Sequence, residues 1–358
     1  MLKMRIRIDS IEVEAEKDQT ILEAAGKAGI VIPTLCHNGG LEHYSSCMVC
    51  MVKDKRKDSF IPACSALAQD GMDIDASGDE VIQIRKKAVT LLLSEHRAEC
   101  EAQCRIVCPA GYNIPLMNRL LIAGKFEEAT ELCRAELNGN ELKCINCQAF
   151  CENACRRKKI DAPVSIRNIR IFIFHNMPDN DGKQASPYFS AADVRRRFSS
   201  RIGRLEENEQ REWLKECREN VTRHRDISDF ASASAEAGSC MHCDCRAAEN
   251  CRLRDMAEKF ELKDPKVKFI NAPISKKINH KTGLIFENAK CIKCGLCVRA
   301  FGDSKEEPSL CFINRGFISV ISEPLTEEFV NIPELITGKS INICPTGALG
   351  HLDNINGK

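Results

Sequence analysis

The cysteines of this 358-residue chain occur in groups, and this grouping limits what the chain can fold into more than any other feature. Of the 22 cysteines, most belong to five groups: Cys36, Cys47, Cys50 and Cys64; Cys100, Cys104 and Cys108; Cys144, Cys147, Cys151 and Cys155; Cys240, Cys243, Cys245 and Cys251; Cys291, Cys294, Cys297 and Cys344. In a reducing compartment, thiolates grouped in this way hold metal centres rather than disulfides. Such centres act as cross-links between small hydrophobic cores.

Bulk composition excludes several classes of function. The formal net charge of +1 gives no reason to expect nucleic acid or an anionic membrane as a partner. No apolar run approaches the length of a bilayer span, and residues 1–10 lack the apolar core of a signal peptide. We therefore expect a cytoplasmic protein without a membrane span, divided into roughly two or three domains.

The first segment, residues 1–78, predicts a β-grasp ferredoxin domain. Alternating residues predict strands over 3–8 and 11–15, and apolar positions at helical spacing predict a helix over 20–28. The following loop supplies four thiolates for a [2Fe–2S] cluster at Cys36, Cys47, Cys50 and Cys64. The sequence around these cysteines resembles the N-terminal domain of the complex I large iron–sulfur subunit and of [FeFe]-hydrogenases. A structural zinc site is the alternative at these thiols.

The second segment, residues 79–175, predicts a helical domain with two [4Fe–4S] clusters. Ser77 and Glu80 predict a capping box at the start of its first helix. The stretch containing His96 and Cys100 again resembles the complex I subunit and the hydrogenases, where one histidine and three cysteines hold a [4Fe–4S] cluster. The sequence after Cys108 is instead similar to the two-cluster domain of the glutamate synthase small subunit, which has relatives in dihydropyrimidine dehydrogenase and electron-bifurcating transhydrogenases.

The glutamate synthase resemblance implies how the ligands divide, although the residues leave the pairing open. It implies Cys100, Cys104 and Cys155 for one cluster and Cys108, Cys147 and Cys151 for a second, which leaves each cluster one ligand short. His96, at the position of the first family cysteine, can complete the first cluster, and Cys144, which lies outside the family group, can complete the second. An imidazole ligand in place of a thiolate removes negative charge, which raises the reduction potential in Rieske centres. Cys133 shares a helical face with apolar residues, so we expect it in the core.

Residues 176–238 predict a helical and linker segment. Residues 192–220 predict one or two helices with an arginine-rich run, which forms either a solvated face or a docking surface for an acidic partner. Cys217 is expected in the core of that region. Residues 232–238 alternate serine and alanine and are typical of a linker.

The next segment, residues 239–265, contains the least familiar cysteine spacing. Its four thiols are those of Cys240, Cys243, Cys245 and Cys251. They predict a further [4Fe–4S] cluster, with a structural zinc ion as the alternative.

Residues 266–358 predict a ferredoxin-like domain with a single [4Fe–4S] cluster. Cys291, Cys294 and Cys297 have the spacing that begins a bacterial ferredoxin motif, but Phe301 stands where the fourth cysteine of that motif would be. Cys344 is therefore expected to complete the cluster. Residues 312–317 strengthen a resemblance to the ferredoxin-like domain of [FeFe]-hydrogenases, and Cys311 is expected to be packed rather than to bind metal.

These expectations combine into an α+β chain that carries one [2Fe–2S] and four [4Fe–4S] clusters. The chain contains no Gly-x-Gly-x-x-Gly motif and no hydrogenase active-site motif, so we expect no catalytic flavin or hydrogenase site in it. The resemblances imply an electron-transfer subunit of an oxidoreductase complex. They imply an NAD(P)H-linked flavoprotein with FAD or FMN as its partner, and ferredoxin as a further candidate. An iron–sulfur redox or oxygen sensor is the alternative.

Overall fold

The structure, a computed structural model, describes residues 4–41, 43–96, 100–137, 142–177, 225–247, 250–262, 276–300, 310–325 and 342–352. The chain divides into two compact units. Unit 1 comprises Met1–Arg97, Cys251–Pro273 and Asn288–Leu349, and unit 2 comprises Ala98–Asn250, Ile274–Glu287 and Gly350–Lys358. Among the described residues, no helix has the length and apolar character needed to cross a bilayer.

Unit 1 begins with a five-stranded mixed sheet. Its strands are β1 (Met4–Ile8), β2 (Ile11–Ala15), β3 (Met51–Asp54), β4 (Ser59–Pro62) and β5 (Asp73–Asp75). They lie in the order β2-β1-β5-β3-β4, with β1 parallel to β5 and the other pairs antiparallel. Asp9 and Ser10 both have positive φ, as the two-residue turn of a twisted hairpin requires. The predicted strands are confirmed.

Helix α1 (Ile21–Lys27) packs on this sheet. The side chain of Thr20 accepts the N–H of Glu23, and the Glu23 carboxylate accepts the N–H of Thr20, so the helix begins with a capping box. Its buried face carries Ile21, Ala24 and Ala25, which join the core of the sheet. The predicted helix is confirmed, and with it the α+β class of the chain.

Unit 1 continues with helix α2 (Asp79–Glu95). The predicted capping box of Ser77 and Glu80 is wrong, because Gly78 occupies the N-cap position and no side chain caps the helix. The Asp75 carboxylate instead accepts the N–H groups of Ser77 and Gly78, at 3.1 and 2.7 Å. The remaining elements of unit 1 are α9 (Arg252–Lys259), α10 (Leu296–Arg299), β8 (Cys311–Ile313) and β9 (Val320–Ser322).

Unit 2 is mainly helical. Its helices are α3 (Gln103–Ile106), α4 (Ile114–Ile122), α5 (Phe126–Leu137), α6 (Phe150–Asn153), α7 (Ile166–His175) and α8 (Phe230–Ala237). They enclose one hydrophobic core, in which Met117, Leu120 and Ile169 are fully buried. A small sheet is formed by β6 (Lys276–Asn279), β7 (Leu284–Glu287) and β10 (Leu349–His351).

The linker predicted over 232–238 is wrong, because residues 232–237 lie in α8 and Gly238 is its C-cap. Asp229 caps this helix by accepting the N–H of Ser232 at 2.7 Å. The small side chains of Ala233 and Ala237 are completely buried in the core of unit 2, so the alternation reflects close helix packing rather than flexibility. The helices and arginine run predicted over 192–220, with Cys217, lie outside the described residues.

Candidate metal centres

The first candidate centre lies in unit 1, at one end of the five-stranded sheet. It is formed by Cys36, which follows α1, Cys47 and Cys50, which precede β3, and Cys64, which follows β4. All four cysteines are buried. Their thiols interact in pairs: Cys50 donates to Cys64 over 3.0 Å, and Cys47 donates to Cys36. The structure therefore brings together all four predicted ligands.

Hydrogen-bond donors converge on the sulfur atoms of this centre. The bond from the Cys47 thiol, with N–H groups of Ser46 and Cys47, lowers the pKa of Cys36 to about 4. The bond from the Cys50 thiol, with contributions from Ser45 and His43, lowers the pKa of Cys64 to about 5. The same thiol–thiol bonds raise the pKa of Cys47 and of Cys50, so a bound metal would have to displace these two protons. The N–H donors that remain on the Cys36 sulfur atom would then tune the potential of a bound cluster.

The second candidate centre, also in unit 1, is formed by Cys291, Cys294, Cys297 and Cys344. Burial raises the pKa of Cys291 and of Cys294 to about 12, and in each case the thiol of Cys344 raises it further. The N–H of Lys293 donates to the Cys291 sulfur at 3.3 Å. Lys293 has a φ of 53°. This left-handed conformation turns the loop between Cys291 and Cys294 back toward the Cys291 sulfur atom. Buried thiols of this kind need a metal to hold them as thiolates.

These two centres of unit 1 are neighbours. The thiol of Cys36 is close enough to contribute to the raised pKa of Cys294. The Arg299 guanidinium donates to the backbone oxygen of Cys36 at 2.8 Å and to that of Cys294 at 3.3 Å. The Ser46 hydroxyl also contacts the Cys294 oxygen, at 3.5 Å. Nothing in the sequence around Arg299 predicts this role, because its partner Cys36 is far away along the chain.

The third candidate centre lies in unit 2, where Cys108, Cys144, Cys147 and Cys151 come together. Burial raises the pKa of Cys144 to about 11, and the neighbouring thiols of Cys108 and Cys147 raise it further. Burial raises the pKa of Cys151 to about 12, with contributions from Glu152, Cys108 and Cys144. The structure thus groups the three cysteines that the glutamate synthase resemblance implies for one cluster with Cys144, the residue expected to complete it.

The fourth candidate centre, a cavity in unit 2, groups cysteines differently from the sequence-based assignment. It is lined by Cys104, Cys155, Cys240 and Cys243. Burial raises the pKa of Cys104 well above its ordinary value, and the thiols of Cys240, Cys155 and Cys243 raise it further. The sequence-based assignment joined Cys104 and Cys155 to His96 and Cys100. The thiols surround a space rather than a point: among the described residues, no three potential ligands lie close enough to hold a single metal ion.

The remaining predicted ligands are described within their own units. In unit 1, His96 directly follows α2 with a buried ring, and Cys251 is the buried N-cap of α9. In unit 2, the N–H of Cys245 donates to the backbone oxygen of Cys100 at 3.1 Å. Cys133 lies in the hydrophobic core, where burial raises its pKa to about 12.

Comparisons with known proteins agree with the first centre. The family described as the 2Fe-2S iron-sulfur cluster binding domain matches residues 3–78. NADPH-Fe(3+) oxidoreductase subunit alpha of Geobacter sulfurreducens is 33% identical over 113 residues, which make up 32% of this chain and 13% of that protein. The NADH-ubiquinone oxidoreductase 75 kDa subunit of Reclinomonas americana is 26% identical over 121 residues, covering 34% of this chain and 17% of that protein. The matched region is thus less than a fifth of each of these two relatives.

A solved structure shares the fold over almost the whole chain. A chain from the crystal structure of the NAD+-reducing [NiFe]-hydrogenase in the H2-reduced state aligns with a TM-score of 0.52 and 16% sequence identity. The alignment covers 97% of this chain and 87% of that chain.

Proposed function

We propose that this chain, whose residues 3–78 form a [2Fe–2S] cluster binding domain, is an electron-transfer subunit of an oxidoreductase complex. It would relay electrons between an NAD(P)H-linked flavoprotein and a low-potential carrier or catalytic subunit. The two relatives above are named as subunits of an NADPH-linked and an NADH-linked oxidoreductase. The chain's thiols would hold one [2Fe–2S] and four [4Fe–4S] clusters. When bound, these clusters supply one-electron redox chemistry.

The observation that carries the proposal is the adjacency of the two centres in unit 1. A relay needs centres that lie close together, and a chain that only stores or senses iron has no such need. Cys36 and Cys294 belong to different centres, yet Arg299 donates to the backbone oxygens of both. The guanidinium holds the two ligand loops together and places a positive charge beside both sets of thiolates, which favours reduction of either centre.

The proposed ligands follow the placement of the thiols. We assign the [2Fe–2S] cluster to Cys36, Cys47, Cys50 and Cys64. One [4Fe–4S] cluster is assigned to Cys291, Cys294, Cys297 and Cys344, and another to Cys108, Cys144, Cys147 and Cys151. His96, Cys100, Cys245 and Cys251 stay candidate ligands. So many thiols would remain reduced in the cytoplasm, where we place the chain.

The adjacency is tested by electron paramagnetic resonance (EPR) on the full chain, purified anaerobically and fully reduced. Two neighbouring paramagnetic clusters broaden each other's spectra, so the signal of the Cys291 centre should narrow when Cys64→Ser removes or alters the [2Fe–2S] cluster. Cys311→Ser is the matched control, because this half-buried cysteine of unit 1 is not a proposed ligand. Unchanged line shapes in Cys64→Ser would contradict the adjacency.

Function is tested separately by reduction with NADH or NADPH. The chain alone should not be reduced, and addition of its co-purifying flavoprotein should permit reduction of the clusters. Arg299→Gln should slow the exchange of electrons between the two unit 1 centres without loss of iron. If brief exposure to air changes target binding or oligomeric state while no flavoprotein reduces the chain, the sensor alternative replaces the relay.

A further inference from the structure

We propose that Cys104, Cys155, Cys240 and Cys243 together hold one [4Fe–4S] cluster. Cys240 and Cys243 would then complete a centre of the helical unit, and they would belong neither to a separate cluster nor to a zinc site. The inference rests on the proposed function only in taking the bound groups to be iron–sulfur clusters. The direction and partners of electron transfer do not enter it.

The cavity brings these thiols together from three separate parts of unit 2. Cys104 lies on α3, Cys155 lies two residues after the end of α6, and Cys240 and Cys243 follow α8. More than 80 residues separate Cys155 from Cys240 in the sequence. Four thiols around one cavity match the donor set of a [4Fe–4S] cluster, which takes one thiolate per iron atom.

The loop from Cys240 to Cys243 has the same turn as the ligand loop from Cys291 to Cys294. In both loops the third residue is left-handed, with a φ of 44° at His242 and 53° at Lys293. In both, the N–H of that residue is directed at the sulfur of the first cysteine. Left-handed conformations are costly for residues other than glycine and concentrate at functional sites. The shared turn therefore indicates a ligand loop.

Buried polar contacts attach the loop of Cys240 and Cys243 to the helical core. Asp244, directly after Cys243, receives two hydrogen bonds from the Arg119 guanidinium of α4. Before the loop, Glu236 of α8 accepts the N–H of Ser165 at 2.9 Å. These contacts hold the loop to the same unit as Cys104 and Cys155, so the grouping does not depend on a flexible segment.

The cavity wall also carries groups that suit an anionic cluster. Asn118 of α4 lines the cavity and is 1% exposed, and its amide atoms have no conventional hydrogen-bond partner in the described part of the chain. The Asn118 amide is directed at the Cys240 thiol. Arg156 and Arg157, both buried, also line the cavity. An amide N–H and cationic side chains stabilise thiolates bound to iron.

The assignment is tested on the full chain by counting iron, sulfide and zinc and by recording EPR spectra after anaerobic reduction. Cys104→Ser and Cys243→Ser should alter or remove the same cluster signal, with a loss of up to about four iron atoms in each. The double variant should lose no more iron than either single variant. Cys108→Ser should affect a different signal, and Cys133→Ala, a core cysteine outside the cavity, should affect none.

Other outcomes would overturn the assignment. It fails if Cys104→Ser and Cys243→Ser affect different signals and their iron losses add to about eight in the double variant. It also fails if the purified chain holds one zinc ion that Cys243→Ser releases. If the flavoprotein cannot reduce the clusters but the shared signal is found, the proposed relay fails and this ligand assignment stands.

A second measurement uses the unmodified chain and therefore does not depend on whether the variants fold. As a chelator and mild oxidant dismantle the clusters, each thiol becomes open to alkylation when its own cluster is lost. Mass spectrometry should show Cys240 and Cys243 becoming alkylated at the same rate as Cys104 and Cys155. If Cys240 and Cys243 react at a common rate with Cys245 and Cys251 instead, the grouping expected from the sequence is correct and this inference is overturned.

Discussion

The buried ion pair of Arg119 and Asp244 allows a direct test of what stabilises unit 2. Their side chains are only 10% and 7% exposed. Asp244→Asn keeps the shape of the side chain but removes the negative charge opposite the guanidinium. Breaking a buried ion pair from one side costs about 3–5 kcal/mol. Because the asparagine oxygen still accepts one hydrogen bond and part of Arg119 reaches solvent, we expect the lower end, about 3 kcal/mol.

Amide hydrogen exchange measures this cost within unit 2, without requiring the whole chain to unfold in one step. A loss of about 3 kcal/mol corresponds to exchange roughly 150-fold faster, since about 1.4 kcal/mol is a factor of ten. The peptides to follow by mass spectrometry are those covering α4, which carries Arg119. Peptides from the β1–β5 sheet in unit 1 should exchange at their original rates.

Two variants separate loss of the charge pair from general damage. In the double variant Arg119→Met, Asp244→Leu, the pair is replaced by apolar side chains, and most of the protection should return. Asp255→Asn serves as the exposed control, because the Asp255 side chain is 59% exposed beside Arg254. This variant should change the free energy of unfolding by no more than about 0.5 kcal/mol. Exchange in Asp244→Asn within threefold of the original chain would refute the reasoning.

Further predictions concern unit 1 and the cysteines that are not proposed ligands. Thr20→Ala removes the cap of α1 and should cost about 1 kcal/mol, measured by chemical denaturation. The Glu23 carboxylate accepts the Thr20 N–H, and this bond lowers the pKa of Glu23. The stability that the bond contributes should therefore be present at neutral pH and lost as the pH falls through the lowered pKa. Glu23→Gln should abolish this part of the pH dependence. Gly295→Ala should reduce the iron content of the Cys291 centre, since the added carbon atom would lie 3.3 Å from the Phe312 ring. Gly316 also has positive φ but is surrounded by open space, so the Gly316→Ala variant should keep the iron content of the original chain. Cys133, buried with a pKa raised to about 12, should be alkylated much more slowly at pH 8 than Cys311, and its rate should rise about tenfold per pH unit; equal rates on mass spectrometry would contradict its burial.

The sequence by itself determined the local elements near the N-terminus, and it predicted the kinds of ligand. Strands β1 and β2 and helix α1 follow from periodicity and capping residues that lie within a few positions of one another, so propensity and packing agree. The [2Fe–2S] domain could be recognised because its ligands and their spacing lie within one short stretch of chain. The predicted Ser77 capping box is wrong because Asp75, only two positions earlier, accepts the N–H of Ser77, which Glu80 would accept in a capping box, together with the N–H of Gly78.

Only the tertiary structure decided which distant groups share a site. A cysteine can be recognised as a ligand from its neighbours in the sequence, but its cluster partners depend on how helices pack. Packing of α8 against α4 carries Cys240 and Cys243 to the cavity of Cys104 and Cys155. In unit 1, the position of Arg299 beside Cys36 likewise depends on contacts across more than 250 residues. The spacing of residues in the sequence does not predict such contacts, because the free energy that forms them comes from burial and hydrogen bonding in the folded chain.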